Sequence, residues 1–281
     1  MKIAIASGKG GTGKTTLSTN LAVMIAQKLN KNITLVDLDV EEPNSGLFLN
    51  LNLQKTEDVS VMVPKWDVNL CDHCNKCKGI CEFNALVGLK KSVMIFPELC
   101  HNCYLCSDMC PTDALPMQPH KIGILNDFQK ENLHFVEGIL DIGIEQAVPL
   151  IKATKKYVEN SEFVIFDSPP GTSHPVIESV DGVDLVILVT EPSPFGFNDL
   201  VLAIETMKVL KKKFAVVINR ADNNYKEINK YCKKENIDII AEIPNSRKIA
   251  ELYSNGKLIY NEIPNQLNDI YRYIKEKKWE K

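Results

Sequence analysis

A glycine-rich loop near the N-terminus constrains the fold of this 281-residue sequence more than any other feature. An apolar run at residues 2–7 leads into GKGGTGKTT, residues 8–16, and apolar residues at helical spacing follow. Glycines let successive backbone N–H groups curl around an anion, and the N-terminus of a helix adds a favourable dipole. The order strand, loop and helix therefore predicts a phosphate-binding loop at the carboxyl end of a buried strand.

The loop matches the pattern G-x-x-x-x-G-K-[ST], which is typical of proteins that bind a nucleoside triphosphate with Mg²⁺. Lys14 is expected to bridge the β- and γ-phosphates, and the Thr15 hydroxyl is expected to bind Mg²⁺. The predicted phosphate-binding residues are Gly8, Lys9, Gly10, Gly11, Thr12, Gly13, Lys14, Thr15 and Thr16.

Five further apolar runs, rich in Ile, Val and Phe, predict strands that are buried on both faces of a mostly parallel sheet. They occupy residues 32–39, 163–170, 184–192, 214–220 and 238–244. Helical periodicity follows two of the runs, at Leu17, Leu21, Met24, Ile25 and Lys28 and at Leu200, Ile204, Met207 and Leu210. This alternation indicates the α/β class with a doubly wound sheet.

Carboxylates at the ends of two predicted strands are candidates for a magnesium site. Asp37 and Asp39 end the second strand, and Asp167 ends the third. Because the carboxyl ends of parallel strands meet at one edge of a sheet, these side chains are expected near the phosphate-binding loop. Capping of a strand end is the alternative for each aspartate taken alone.

Eight of the nine cysteines form two runs with the spacing C-x2-C-x2-C-x3-C, the first at residues 71–81 and the second at 100–110. This spacing is typical of bacterial two-cluster ferredoxins, in which the fourth cysteine of each run binds the other cluster. The predicted [4Fe–4S] ligands are Cys71, Cys74, Cys77 and Cys110 for cluster 1, and Cys100, Cys103, Cys106 and Cys81 for cluster 2. Zinc is the alternative, although four-thiolate zinc sites usually pair two C-x2-C knuckles across a longer loop.

The cysteine runs interrupt the alternation of strands and helices, which indicates an inserted domain. We predict a discontinuous ATPase-type domain at residues 1–58 and 120–281 and a small α+β, bacterial-ferredoxin-like insert at 59–119, with strand-like stretches at 59–63 and 92–96. About 60 residues build little core without bound metal. Near the C-terminus, Leu267, Ile270, Tyr271 and Ile274 predict a helix packed on the sheet, with a membrane-surface helix as the alternative.

The overall balance of residues excludes several classes of function. A net charge of −3, with 44% hydrophobic and 25% charged residues, is ordinary for a globular protein and offers no broad basic surface for nucleic acid. No apolar run approaches the length of about 18 residues that crosses a bilayer, so a membrane partner is not expected. The absence of a secretory signal favours a reducing cytoplasm, where clustered cysteines bind metal rather than form disulfides.

Residues Lys9 to Thr15 read K-G-G-x-G-K-[ST], which resembles the deviant phosphate-binding loop of the MinD, Mrp and nitrogenase iron protein superfamily. Four further segments resemble members with an inserted ferredoxin domain: residues 95–103, 167–179, 190–200 and 218–224. The resemblance implies ATP hydrolysis in a homodimer closed over its nucleotides, with Lys9 reaching the phosphates of the partner. It also implies that Asp39 orients or activates the attacking water, that Asp37 supports the magnesium shell, that Asp167 is the Walker-B-like carboxylate and that Gly171 is a switch pivot.

Base recognition has two interpretations. By resemblance, Asn219 contacts an adenine edge, with Arg220 and Pro244 nearby. Residues 219–222 also resemble the N-K-x-D guanine motif, so GTP is the alternative to the favoured ATP.

Three functions fit these features. The first is electron transfer from two clusters to a redox partner protein, gated by the nucleotide. The second is an iron–sulfur carrier or assembly ATPase resembling Mrp, which would serve an iron–sulfur acceptor protein. The third is a redox-sensing regulatory or positioning ATPase. Mrp-like carriers bridge a cluster across the dimer with cysteines of the ATPase domain, where this sequence has only Cys232, expected to be a buried helix residue. This difference favours electron transfer.

Overall fold

The computed structural model describes residues 1–222 and 225–276. Its strands are β1 (Lys2–Ala6), β2 (Ile33–Asp37), β3 (Asn52–Pro64), β4 (Leu86–Gly88), β5 (Val93–Ile95), β6 (Met117–Lys130), β7 (Leu133–Leu140), β8 (Val164–Asp167), β9 (Leu185–Thr190), β10 (Phe214–Ala221) and β11 (Ile239–Pro244). Its α-helices are α1 (Lys14–Val23), α2 (Lys76–Ile80), α3 (Leu105–Asp108), α4 (Ala147–Tyr157), α5 (His174–Val180), α6 (Pro194–Val209), α7 (Glu227–Lys234), α8 (Arg247–Ser254) and α9 (Pro264–Glu276). The last two residues of segment 218–224 and the end of the predicted C-terminal helix, 277–281, lie outside the described residues.

A large sheet has the strand order β11-β10-β9-β1-β8-β2-β7-β6-β3. The strands from β11 to β7 are parallel, and β6 and β3 extend the sheet antiparallel beyond β7. The six apolar runs of the sequence all form strands, namely β1, β2, β8, β9, β10 and β11. The predicted α/β class with a mostly parallel sheet is therefore confirmed.

Helices cover both faces of the sheet. Successive side chains of a strand point to opposite faces, so each strand contributes to two hydrophobic cores. Ile3 and Ile5 point into one core, which α1, α8 and α9 cover. Ala4 and Ala6 point into the other, under α4, α6 and α7. Each fully buried Ile or Leu contributes about 1.5–3 kcal/mol to folding, which explains why near-continuous apolar runs predicted these strands well.

Helix α9 packs on the first of these cores. Leu267, Ile270 and Ile274 are buried there, and Tyr271 lies partly buried at its edge. The apolar side of the helix is thus covered by the protein's own sheet, as the first of the two interpretations expected. No helix in the described part of the chain is long and apolar enough to cross a membrane.

The cysteine runs lie at the end of a long hairpin. Strands β3 and β6 are antiparallel neighbours from the Asn52–Gln129 pair to the Pro64–Met117 pair, so the predicted insert limits at 59 and 119 fall inside these strands. Residues 65–116, called here the cysteine segment, follow with α2, α3 and the small β4–β5 sheet. Strand β7 alone separates this hairpin from β2.

Candidate functional site

The glycine-rich loop joins β1 to α1 in a conformation that needs glycine. Gly11 and Gly13 have φ angles of 76° and 99°, in the left-handed region. A Cβ on Gly13 would lie 2.2 Å from the side-chain nitrogen of Asn219, which donates a hydrogen bond to the Thr12 carbonyl at 2.8 Å. Asn219, near the end of β10, therefore packs against the loop and stabilises its conformation.

Lys14 begins α1 with its ammonium group surrounded by carboxylates. The residue is only 6% exposed, and burial lowers the pKa of its amine, while Asp167, Asp39 and Asp37 oppose that change in this order. A buried cation held beside a left-handed glycine loop is suited to the phosphates of a nucleotide, since it would replace lost hydration with direct charge pairing.

Two predicted magnesium residues are neighbours on adjacent strands. Asp37 of β2 and Asp167 of β8 are in register at the carboxyl edge of the sheet. The Asp37 carboxylate accepts hydrogen bonds from the backbone N–H groups of Asp39, Asn44 and Ser45, each at 3.0 Å. Asp37 thus fixes the backbone that follows β2, and through it the position of Asp39.

Asp167 has one carboxylate oxygen engaged and one without a partner. The Ser45 hydroxyl donates to Oδ2 at 3.0 Å, whereas Oδ1 is buried with no hydrogen-bond partner among the described residues. Burial, then Asp37, raises the pKa of Asp167 to about 7, against lowering by Thr15 and Lys14. A buried carboxylate oxygen beside the Thr15 hydroxyl is a donor set that fits Mg²⁺ or a water of its shell.

Asp39 has a similarly perturbed carboxyl. Burial, then Asp37, raises its pKa to about 6, and Lys14 opposes this change. A carboxyl whose pKa lies near neutrality can accept a proton from an attacking water at physiological pH. The structure therefore brings Lys14, Thr15, Asp37, Asp39 and Asp167 together in one polar cluster at the edge of the sheet.

The raised pKa of Asp167 gives a test by pH. The pKa of this carboxyl is raised from 3.8 to about 7, so the stability that its proton provides is present in full only below about pH 4 and is lost progressively until about pH 7. Asp167→Asn stays neutral at every pH. In nucleotide- and Mg²⁺-free protein we expect it to add about 1–3 kcal/mol of stability at high pH and little at low pH.

Thermal denaturation near pH 5 and near pH 8 measures this difference. Asp269→Asn, an exposed position on α9, is the control. If wild type and Asp167→Asn keep the same difference in melting temperature at both pH values, Asp167 does not carry the buried proton.

Lys9 is held within its own chain. Its Nζ lies 2.6 Å from Oε1 of Glu191, which follows β9, and the Arg220 guanidinium binds the other oxygen of Glu191 at 3.0 Å. The side chains of Lys9 and Glu191 are 31% and 18% exposed, so the pair is partly shielded from water. Hydrogen bonding by Lys9 is the main reason that the pKa of Glu191 is lowered.

Gly171, Gly8 and Pro244, which the sequence also predicts at the nucleotide site, lie near the loop or at the ends of neighbouring strands. Gly171 has a φ of 94° and donates its N–H to the Ser7 carbonyl at 3.0 Å, which places this turn against the loop. A Cβ on Gly8 would lie 2.2 Å from the Asp199 carbonyl, so the loop also packs closely on α6. Pro244 ends β11 in register with Ala221, beside Arg220.

Four thiols of the cysteine segment surround one cavity. Cys71, Cys74, Cys77 and Cys110 line it together with Trp66, His73 and other residues of the same segment. Burial raises the pKa of Cys77, and the thiols of Cys71, Cys74 and Cys110 raise it further. Burial alone would raise the pKa of Cys110, but the Thr112 and Ala114 N–H groups lower it; the Ala114 nitrogen lies 3.3 Å from the sulfur.

The other four thiols form a second group. Burial, followed by Cys100, Cys103 and Cys81, raises the pKa of Cys106 to about 11. Burial also raises the pKa of Cys100, with Cys103 and Cys81 contributing. Each group therefore combines three cysteines of one run with the last cysteine of the other, which is the arrangement that the spacing predicts.

The backbone repeats the sequence repeat. His73, Asn75 and Asn84 have φ angles of 56°, 58° and 53°, and the residues 29 positions later have 55°, 65° and 53°. Helices α2 and α3 begin at the same offset. Left-handed residues between helical ones turn successive N–H groups toward one point, a geometry that favours bound anions such as thiolate-ligated clusters.

The thiols do not converge as ligands of a single ion. In the described part of the chain, no set of three or more His, Cys, Asp or Glu side chains lies close enough to hold one metal ion. A cubane spaces its four thiolates more widely than one ion does, because each thiolate binds a different iron. The donor set of four thiols around a shared space fits such a cluster.

Three contacts were not anticipated from the sequence: Ser45 on Asp167, Glu191 on Lys9, and Gln146 on the second cysteine run. Each joins residues that are 46 to 182 positions apart, so spacing carries no sign of them. A carboxylate directly after a buried strand, as at Glu191, was the one available signal.

The doubly wound sheet and the glycine-rich loop define a P-loop nucleotide-binding protein. Residues 3–259 match the family described as "CobQ/CobB/MinD/ParA nucleotide binding domain", and the chain belongs to this family. An uncharacterised protein of Methanocaldococcus jannaschii is 30% identical, over 98% of this chain and 97% of its own. A protein of Pyrococcus abyssi named "Iron-sulfur cluster carrier protein" is 22% identical, over 94% of this chain and 81% of its own.

Among solved structures, the septum site-determining protein MinD of Pyrococcus horikoshii, complexed with Mg-ADP, has the same fold. Its TM-score is 0.59 at 19% identity, and the match covers 98% of this chain and 96% of the MinD chain. At that identity the likeness concerns the fold alone.

Proposed function

We propose that this protein is a Mg²⁺-dependent ATPase whose nucleotide state gates low-potential electron transfer from two [4Fe–4S] clusters to a partner protein. The observation that carries the proposal is the crossed grouping of the eight thiols, at the end of a hairpin that is continuous with the sheet of a nucleotide-binding domain. Residues 59–119 would act as the ferredoxin-like part, and the remainder as the ATPase.

In the ATPase part, the loop residues Gly8 to Thr16 would hold the phosphates, and Lys14 would neutralise the charge that develops on the γ-phosphate. Thr15 and Asp167, with Asp37 in support, would hold Mg²⁺. Asp39 would accept the proton of the attacking water, because its raised pKa lies near working pH. Asn219 would lie beside the base, and competition between ATP and GTP for binding decides which base the site takes.

Catalysis would be completed in a homodimer that closes over the nucleotide face. Lys9 would leave Glu191 and approach the phosphates of the partner's nucleotide, which supplies positive charge only when both subunits are present. Movement of the segments after Asp39 and Asp167 would then be the change that the cysteine segment detects. A reducing cytoplasm is the compartment in which eight cluster-ligating thiols are maintained.

The cluster-binding residues would be Cys71, Cys74, Cys77 and Cys110 at one site and Cys100, Cys103, Cys106 and Cys81 at the other. Bound clusters would supply one-electron chemistry at low potential. Four protein thiolates per cluster favour permanent cofactors over transferable cargo, because every iron is already bound by the chain.

The alternative is an iron–sulfur carrier, which the name of the Pyrococcus abyssi relative favours. Against it, the ninth cysteine, Cys232, is 0% exposed in α7 and is packed in the core of the ATPase part. It is not available to bridge a cluster between two subunits.

An anaerobic experiment separates these functions. The protein with both clusters reduced is mixed with Mg-ATP, and the cluster potentials and the reduction of a ferredoxin-type acceptor are followed; we expect a nucleotide-dependent change that Lys14→Ala abolishes. Transfer of iron and sulfide to an apo-acceptor would instead establish the carrier. Hydrolysis that depends on cluster oxidation state, with no acceptor reduced, would establish a redox-sensing regulator.

A further inference from the structure

Gln146 joins the ATPase part to the second cysteine run. Its side-chain nitrogen Nε2 donates to the backbone carbonyls of Glu98 and Cys100, both at 3.2 Å. Cys100 belongs to the second group of thiols and is buried. One half-buried amide therefore holds the start of this ligand loop, from a residue that lies outside the cysteine segment.

Gln146 immediately precedes α4, and α4 is anchored in the ATPase core. Ala147, Leu150 and Ile151 in its first turns are at most 4% exposed. The position of Gln146 is therefore set by α4 and not by the cysteine segment. A displacement of the start of α4 would be carried to the Cys100 carbonyl through the Gln146 amide.

The start of α4 also borders two segments of the ATPase part, one around Asp39 and one after Asp167. Ala147 and Ile151 line a cavity with residues 38–42, which include Asp39, and with Pro169, Pro170, Ser173 and Pro175 after Asp167. Lys155 of α4 donates to the Asp181 carbonyl at 2.7 Å, at the end of α5. The start of α4 is therefore placed where a rearrangement of these two segments could reach it.

The two thiol groups differ in this respect. The cavity around Cys71, Cys74, Cys77 and Cys110 is lined by residues of the cysteine segment alone. The second group has the Gln146 contact to a helix beside the nucleotide segments.

We propose that Gln146 is the positioning residue through which nucleotide state reaches the second cluster, and that the first cluster is not directly sensitive to nucleotide. This inference rests on the proposed function, and it assigns the nucleotide gating to the second of the two cluster sites. The Gln146 amide orients the Cys100 peptide, and peptide dipoles and hydrogen bonds around a cluster set its reduction potential. Nucleotide-driven movement of α4 changes that orientation and hence the potential.

The test compares variants at position 146, and one control, in the protein with both clusters. Gln146→Glu has the same shape but no N–H donor, Gln146→Lys keeps a donor, and Gln129→Glu alters an exposed glutamine on β6 as a matched control. Midpoint potentials of both clusters are measured by EPR-monitored titration with ADP and with a non-hydrolysable ATP analogue. The variant with Cys71→Ser and Cys110→Ser identifies the signal of the second cluster.

In wild type we expect the analogue to shift the potential of the second cluster only. Gln146→Glu should reduce that shift at least about threefold, and Gln146→Lys and Gln129→Glu should retain it. Nucleotide affinity and basal ATP hydrolysis should be unchanged in all three variants. A second readout does not use the clusters' chemistry: amide hydrogen exchange at residues 98–103 should respond to the analogue in wild type and not in Gln146→Glu.

The possible outcomes separate the inference from the proposed function. If the analogue shifts neither potential in wild type, nucleotide gating itself is overturned, and the inference with it. If the shift is unchanged in Gln146→Glu, or if it belongs to the first cluster, the gating stands and the role of Gln146 is overturned.

Discussion

Replacing Cys71 and Cys110 together by serine should remove about four of about eight iron atoms, whereas replacing Cys103 and Cys110 together should remove all of them. The reason is the crossed grouping. Cys110 belongs with the thiols of the first run, so the first pair damages one site and the second pair damages both. If each run held its own cluster, the two double variants would give the opposite results.

Iron and acid-labile sulfide content, with EPR of the reduced protein, measure this difference. Cys232→Ser is the control, since this thiol is buried in α7 among apolar side chains and should leave the iron content unchanged. Binding of zinc in place of iron by the anaerobically produced protein would overturn both cluster assignments.

The large sheet was predictable where burial is complete. Strands β1, β2, β8 and β9 are covered on both faces, and their sequences are near-continuous apolar runs. The outer strands β3 and β6 are mostly exposed or half-exposed, and their sequences mix charged with apolar residues. Apolar runs therefore did not reveal that this hairpin extends the sheet, and the limits of the insert were placed inside it.

The site was predictable where chemistry fixes local spacing. The phosphate-binding loop and the crossed thiol groups both follow from short patterns, because a glycine loop and a cubane each impose geometry on neighbouring residues. The pairing of Lys9 with Glu191 and the contact of Gln146 with Cys100 depend on how distant strands and helices meet. No local pattern encodes such contacts, and only the folded chain reveals them.

Replacing Lys9 by alanine should lower ATP hydrolysis by about 10²-fold or more while nucleotide affinity changes little, because the charge it supplies acts on the transition state across a dimer. Glu191→Gln should favour the ATP-dependent dimer, because it releases Lys9 from its own chain. The partly shielded Lys9–Glu191 pair is worth about 1 kcal/mol or less after screening. Because a closed homodimer opens this pair in both subunits, its loss should tighten the ATP-dependent dimer by up to about 2 kcal/mol, or about thirtyfold.

Sedimentation velocity with Mg-ATP and a steady-state hydrolysis assay measure the two effects. Glu235→Gln, which breaks the exposed Lys208–Glu235 pair, is the matched control and should leave both unchanged. If Glu191→Gln weakens the dimer instead, Glu191 positions Lys9 for catalysis and does not restrain it. If Lys9→Ala hydrolyses ATP at the wild-type rate, Lys9 supplies no catalytic charge across a dimer, and the role proposed for it is wrong.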